Sequence, residues 1–162
     1  MFWLEDFLEH SQEKMSKVYT HEGFLYATNG HIAIRVKQEL IKRQYVPAEP
    51  FKGLLNTFKP IKGELFTIQT LKSALDSVLP DIDVCEECGF NRPVQTKVPL
   101  ELRFFNRFYL SLIYEAMREF GGEWEAFIGE EVNPNINLSE NAPSYFYCLD
   151  ADISIVLMPM RN

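Results

Sequence analysis

Two cysteines have the spacing that comes closest to a chemical motif in this chain. Cys85 and Cys88 are separated by Glu86 and Glu87, which is the spacing of half a zinc knuckle. A closed zinc site needs four ligands, and the sequence offers no second pair. With Cys148 the cysteine count is odd, which disfavours a disulfide framework, and the flanking carboxylates disfavour the reactive thiolate. We predict that Cys85 and Cys88 are free or bind metal weakly, and that the protein has no cofactor.

Catalytic motifs are missing from the sequence. It has no phosphate-binding glycine loop, no dinucleotide fingerprint, no nucleophile elbow and no His-Glu-x-x-His pair. Acidic pairs such as Glu5/Asp6 are sequence neighbours, whose side chains point apart in a helix or strand. His31 stands beside a predicted tight turn with no nucleophile or orienting carboxylate near it in sequence. We therefore predict a binding protein; a titratable cluster in a deep cleft would favour an enzyme instead.

Charge and hydropathy narrow the classes of partner. The formal net charge is -7, so the long-range field repels nucleic acid, and any DNA contact must come from a local basic face. No apolar run is long enough to span a bilayer, and the first residues are acidic where a signal peptide is basic. We expect a cytoplasmic protein without membrane contact, folded as a single domain over residues 1–162.

The hydrophobic periodicity predicts a mixture of helices and strands. Helices are predicted over residues 2–15, 70–79 and 105–120, and one or two helical turns over 51–58. Strands are predicted over 18–20, 24–28, 31–37, 98–104, 124–129, 136–138, 144–149 and 153–160, and residues 65–68 are either a short strand or the entry to a helix. Asn29-Gly30 joins two of these strands and is the strongest two-residue hairpin signal, because a type I′ turn needs positive φ at both positions. In that turn Ala27 would face Ile32, and a tight turn by itself needs no function.

The end of the chain is unusual for a strand. Pro159 cannot donate to a strand ladder, so we predict it at a sheet edge or where pairing ends. Met158 and Met160 flank it on one face, since strand side chains alternate with period two. Methionine is adaptable and suits a surface that binds other proteins. The alternative is a final strand that simply faces the core.

The hairpin at residues 26–36 and the final strand at 153–162 together resemble the bacterial DNA polymerase III beta subunit, the sliding clamp family. Clamps carry an Ala-Thr-Asp-Gly-His-Arg-Leu-Ala hairpin and end close to Val-Met-Pro-Met-Arg. Here Asn29 replaces the Asp and Ile32 the Arg. The resemblance is clearest over 17–36 and 101–162. It implies an α+β, DNA-clamp-like domain with two helices packed on an antiparallel sheet, built from two helix/strand repeat units, with an insertion around 38–97.

The resemblance also implies a peptide-binding site, because clamps build their partner pocket from these two segments. Carried over by position, its residues are Thr28, Gly30, His31, Val156, Met158, Pro159, Met160 and Arg161. Clamps take the two segments from different domains of a longer chain, whereas here one domain must supply both. The pocket is then incomplete, or it forms between subunits.

Clamp helices also line a ring around DNA and meet its phosphates. By this resemblance, the candidates for contact with DNA are on one face of the helix 105–120. They are Arg107, Ser111 and Arg118. Nearby glutamates dilute this face, and an ordinary solvated face is the alternative. A ring of single-domain chains would need several copies in head-to-tail contact, so we expect a monomer or small homo-oligomer with weak or absent DNA binding.

The implied function is that of a non-enzymatic, clamp-related binding protein. It resembles a DNA polymerase processivity factor in DNA replication or repair, with replication or repair proteins bound through a short peptide motif. The alternative is a divergent clamp-fold protein-interaction module of unknown pathway that does not encircle DNA.

Overall fold

The structure is a computed structural model that describes residues 2–59, 62–79, 82–84, 87–88, 91–93, 96–101, 103–129 and 142–160. Within these residues the fold is α+β. The strands are β1 (Tyr19–His21), β2 (Phe24–Thr28), β3 (Ile32–Lys37), β4 (Glu64–Phe66), β5 (Ile82–Val84), β6 (Asn91–Pro93), β7 (Lys97–Leu100), β8 (Arg103–Asn106), β9 (Trp124–Phe127), β10 (Ser144–Cys148) and β11 (Ile153–Leu157). The α-helices are α1 (Lys52–Thr57), α2 (Ile68–Asp76) and α3 (Arg107–Phe120), and 3-10 turns cover Leu4–Phe7, Glu13–Met15 and Gln38–Leu40.

A seven-stranded sheet with the order β1-β2-β3-β11-β10-β9-β4 forms the centre of the fold. Every neighbouring pair in it is antiparallel. β5 pairs with β6 and β7 pairs with β8 in two small hairpins. The last strand, β11, lies between β3 and β10. The end of the chain is therefore held beside the hairpin of β2 and β3, which begins more than a hundred residues earlier.

The main core covers one face of this sheet. Alternate residues of each strand point to it, as the period of two requires, and Leu71 of α2 and Leu110 and Ile113 of α3 pack against them. Both helices begin at side-chain caps. Thr67 is the N-cap of α2, and its Oγ1 accepts a hydrogen bond from the N–H of Thr70. Asn106 is the N-cap of α3, and its Oδ1 accepts a hydrogen bond from the N–H of Phe108 at 2.9 Å. The capped helices α2 and α3 form the layer beneath the sheet.

Among the described residues, α1 and the residues that flank it cover part of the opposite face of the sheet. Leu54 of α1 is 2% exposed and packs against Tyr19, Tyr26 and Ala33, which point away from the main core. The flanking phenylalanine rings extend this small cluster, with Phe51 against Tyr19 at 5.8 Å between ring centroids. The pockets described below lie on this face.

The N-terminal helix predicted over residues 2–15 is wrong. Two 3-10 turns stand in its place, and the residue before the second, Gln12, has an extended backbone. Leu4 and Phe7 are fully buried, whereas Trp3 remains 46% exposed. Residues three apart eclipse each other in a 3-10 turn, so one short turn directs Leu4 and Phe7 into the core. The second core helix is α2, which falls in the stretch predicted as an insertion around 38–97.

The predicted type I′ turn at Asn29-Gly30 is also wrong. Ala27 pairs with Ile34 rather than Ile32, a shift of two residues. Only Gly30 has positive φ in this turn, at 90°. The Asn29 side chain accepts from the N–H groups of His31 and Ile32, at 2.9 and 3.0 Å. Because it caps the turn in this way, Gly30 and His31 become the central residues.

One predicted strand differs from the prediction, and Pro159 meets one of the two alternatives predicted for it. The strand predicted over 98–104 is the hairpin of β7 and β8, which turns at Glu101 with φ of 55°. Pro159 follows the end of β11, as expected for a residue where pairing ends, but β11 is a central strand and not an edge. The strand predicted over 136–138 lies outside the described residues.

Candidate peptide-binding pocket

A pocket of about 200 Å³ lies between the β2–β3 turn and the end of β11. Thr28, Gly30 and His31 line it from the turn, and Val156 and Met158 line it from the last strand. These are five of the residues that the clamp resemblance implies for peptide binding. The other lining residues are Met15, Ile32, Ala33, Phe51, Leu54 and Thr57. Both segments therefore line one pocket of this chain.

The register of β3 and β11 brings the two segments together. Val156 lies opposite Ala33, and side chains directly opposite each other project from the same face of a sheet. Both residues are buried on the face away from the main core. Beyond the paired region, the N–H of Met158 donates to the carbonyl of His31 at 2.9 Å. This bond fixes the end of the chain against the turn.

Hydrogen bonds also hold the turn itself in place. Thr28 is 7% exposed, and its Oγ1 donates to the carbonyl of Ile32 at 2.9 Å and accepts from the N–H of Gly30 at 3.0 Å. A Cβ on Gly30 would stand 3.1 Å from Cε of Met15. The turn is thus a rigid wall of the pocket, and Thr28 acts mainly by holding it.

His31 lies at the mouth of the pocket and is exposed. Its ring stacks on Tyr109 of α3 with 6.1 Å between centroids and an interplanar angle of 19°. The Asn29 side chain donates to the Tyr109 hydroxyl at 3.2 Å, which positions that ring. The contacts described for the His31 side chain include no nucleophile or carboxylate. His31 therefore forms part of a polar rim around the pocket, and its described contacts do not support a role as a catalytic base.

The floor and walls of the pocket are apolar. Leu54, Ala33 and Val156 are nearly inaccessible to solvent, and Met15 and Met158 are half-buried at its sides. An apolar cavity of about 150 Å³ can hold benzene. A pocket of this size and lining can accept a single apolar side chain.

The remaining residues implied by the resemblance do not line this pocket. Pro159 is buried and Met160 is half-buried. The N–H of Met160 donates to the carbonyl of Phe104 at 2.8 Å, so Met160 is tied to β8. Arg161 lies outside the described residues. Of the two methionines that flank Pro159, only Met158 reaches the pocket.

The DNA-facing candidates on α3 have other partners. Arg107 is half-buried, and its guanidinium donates to the carbonyls of Leu75 and, at 2.6 Å, Val78, at the end of α2. Ser111 is also half-buried and donates to the Arg107 carbonyl at 2.9 Å. Arg118 is exposed and lies 3.7 Å from Glu115. Contact of this face with DNA stays a prediction, and Arg107 has a structural role in holding α2.

The predicted thiol site is only partly described. Cys88 is exposed and forms no disulfide, and Cys85 lies outside the described residues. The described part of the chain contains no group of three or more His, Cys, Asp or Glu residues that could hold a metal ion. Cys148 is buried in the main core. Weak metal binding by Cys85 and Cys88 stays a prediction.

Sequence reasoning missed the contribution of α1 and Met15 to the pocket. Helical turns over 51–58 were predicted, and Phe51 and Leu54 are three residues apart, which places them on one helical face. That spacing indicates a buried side of α1. It does not indicate which face of the sheet α1 covers, and Met15 was assigned to a helix that does not form.

Comparison with protein-family models, curated proteins and solved structures finds no match for this chain. Among the described residues no helix has both the length and the apolar character needed to cross a membrane.

Proposed function

We propose that this chain is a non-enzymatic, clamp-related binding protein that acts in DNA replication or repair. Its pocket between the β2–β3 turn and the end of β11 takes one apolar side chain from a short peptide of a partner protein. The observation that carries the proposal is the meeting of the turn with Val156 and Met158 around one apolar pocket. It was the resemblance to the clamp hairpin and clamp ending that singled out these residues.

The chemistry of the pocket supports a peptide as its occupant. The pocket is small and apolar, while His31 gives its mouth a polar and exposed rim. Partner sites often combine a buried anchor pocket with a polar rim. The bound anchor would be a Leu, Met or Phe side chain, with polar residues on either side.

We propose further that the protein does not encircle DNA. The guanidinium of Arg107 is engaged at the end of α2, and Glu115 lies beside Arg118. The net charge of -7 would repel DNA from a ring built of such chains. A monomer or small oligomer in the cytoplasm with weak, salt-sensitive DNA binding fits these features.

The test compares two methionines that flank Pro159. Fluorescence polarisation would screen labelled seven-residue peptides with Leu or Phe fixed at the centre. We expect Met158→Glu to abolish binding of the selected peptide, because it places a carboxylate in the apolar pocket. Met160→Glu is the matched control and should retain binding, since Met160 does not line the pocket.

Two results would overturn the proposal. One is a selected peptide that binds Met158→Glu as well as the unchanged protein, with both proteins folded by circular dichroism. The other is a closed oligomer in sedimentation that stays on circular DNA and leaves it on linearisation, which would restore the encircling function.

A further inference from the structure

The face of the sheet opposite the main core also holds a second pocket, which at about 610 Å³ is larger than the candidate peptide pocket. Neighbouring residues of the same strands line the two pockets. Ala33 and Val156 line the smaller one, whereas Arg35 and Ser154 line the larger one. Leu54 of α1 packs on Ala33 and on Tyr26, so α1 lies between the two pockets. The larger pocket is a separate site with its own lining.

Aromatic rings form much of its lining. Tyr145 and Tyr147 alternate along β10 and therefore point to the same face. Across the pocket, the ring of Tyr26 meets that of Phe58 edge-on with 5.6 Å between centroids. Among the described residues the Tyr145 hydroxyl has no hydrogen-bond partner, and like any phenol it is protonated at neutral pH and can donate. The pocket thus offers flat apolar surfaces and a spare donor.

Charges at the pocket favour an anion. The Asp152 carboxylate is paired within the protein, because its Oδ1 accepts hydrogen bonds from the Arg35 guanidinium at 3.0 Å and from the Tyr147 hydroxyl at 3.1 Å. Lys59 and Lys62 are exposed at the pocket, and neither forms an ion pair with another described residue. The remaining charge in the lining is the carboxylate of Glu125 on β9. Among the described lining residues the two lysines thus outnumber the one unpaired carboxylate, and this local excess of positive charge attracts a negative group.

We propose that this pocket binds a small aromatic anion of the size of a nucleoside monophosphate. The ring system lies against Tyr145 and Tyr147, and the phosphate meets Lys59 and Lys62. Glu125 accepts hydrogen bonds from the ring N–H groups. The volume falls within the range of about 300–1,000 Å³ that is usual for small-molecule sites. The occupant is the free nucleotide and not a nucleic acid strand, because the net charge of -7 repels a polyanion.

The first test separates the two halves of the ligand. Isothermal titration calorimetry would use adenosine 5′-monophosphate and thymidine 5′-monophosphate as probes, with adenosine and inorganic phosphate as controls. We expect saturable binding of one or both nucleotides below about 1 mM, and binding at least about tenfold weaker for each half alone. The absence of saturable binding by either nucleotide overturns the proposal.

Matched variants locate the binding to this pocket. The double variant Lys59→Glu/Lys62→Glu should weaken nucleotide binding by about tenfold or more, since it removes both charge-assisted contacts. Lys42→Glu/Lys52→Glu changes the net charge equally at exposed lysines outside the pocket and should leave binding unchanged. Equal weakening by both double variants would mean that only the overall charge matters, and would overturn the site.

Two ring variants and a longer probe complete the test. Tyr145→Ala should weaken nucleotide binding by about tenfold, because it removes one stacking surface, whereas Met158→Glu in the smaller pocket should have no effect. Tyr145→Phe keeps the ring and should retain most of the affinity. A single-stranded oligonucleotide that binds the pocket more tightly than the monophosphates would overturn the choice of a free nucleotide.

Discussion

Val156 lies directly opposite Ala33 in the antiparallel pair of β11 and β3. This pairing places the end of the chain beside the β2–β3 turn, and the bond from the Met158 N–H to the His31 carbonyl extends it. The walls of the candidate peptide pocket are therefore fixed by backbone pairing. Changes in the turn should therefore alter the stability of the protein.

Removal of the Thr28 hydroxyl should destabilise the turn. Thr28→Ala loses the bond to the Ile32 carbonyl and the bond from the Gly30 N–H, at a buried position. We expect the free energy of unfolding to fall by about 1–3 kcal/mol. Urea denaturation measures this loss. Thr28→Ser keeps the hydroxyl and is the control, so an equal loss in both variants would show that the methyl group, not the hydrogen bonds, is responsible.

Two glycines should respond in opposite ways to alanine. Gly30 has φ of 90° and its added Cβ would press on Met15, so we expect Gly30→Ala to lower the unfolding free energy by about 1–2 kcal/mol. Gly53 lies in α1, where its Cβ would stand 3.5 Å from the Phe51 ring. Gly53→Ala should raise the unfolding free energy by about 0.5–1 kcal/mol. Thermal and urea unfolding of both variants give the signs, and stabilisation by Gly30→Ala would contradict the turn geometry.

Arg107 should matter for folding more than for DNA. It donates to two carbonyls at the end of α2, where a positive charge also complements the helix dipole. We expect Arg107→Met to lower the unfolding free energy by about 1.5–3 kcal/mol and to speed hydrogen exchange in α2. Arg118→Met, at an exposed position of the same helix, should change the unfolding free energy by less than about 0.5 kcal/mol. A small effect of Arg107→Met on exchange in α2 would contradict this role.

Alkaline pH should weaken the contact between Tyr45 and Glu5. Burial and the neighbouring Glu5 carboxylate raise the pKa of Tyr45 from 10.0 to about 12, and the Tyr45 hydroxyl donates to Glu5 at 3.1 Å. Because the pKa is higher in the folded state, this contribution to stability is complete below pH 10 and is lost as the pH rises towards 12. Other tyrosines also have raised pKa values, so the unchanged protein must be compared with a variant.

Tyr45→Phe is that variant. It keeps the ring but has no hydroxyl to titrate, so its unfolding free energy should fall less steeply across this pH range than that of the unchanged protein. Urea unfolding at a series of alkaline pH values measures both slopes. Identical slopes would mean that Tyr45 titrates in the folded protein as it does in the unfolded chain.

Local patterns in the sequence determined much of the sheet and of α3. The alternation of apolar residues correctly indicated β2, β3, β10 and β11, and the helix predicted over 105–120 corresponds to α3. Such patterns succeed because a period of two or of 3.6 residues is set by the backbone itself. The resemblance to the clamp hairpin and clamp ending, and not a local period, pointed to Thr28, Gly30, His31, Val156 and Met158, which line one pocket.

Tertiary packing alone decided the hairpin register, the N-terminal turns and the position of α1. A shift of two residues between β2 and β3 leaves the same side chains facing the core, so the apolar pattern cannot distinguish Ile32 from Ile34 as the partner of Ala27. Leu4 and Phe7 form a 3-10 turn because the core at β2 and β3 accepts them in that arrangement, not because of local propensity. The insertion of β11 between β3 and β10, which creates the pocket, is a long-range pairing that no local period encodes.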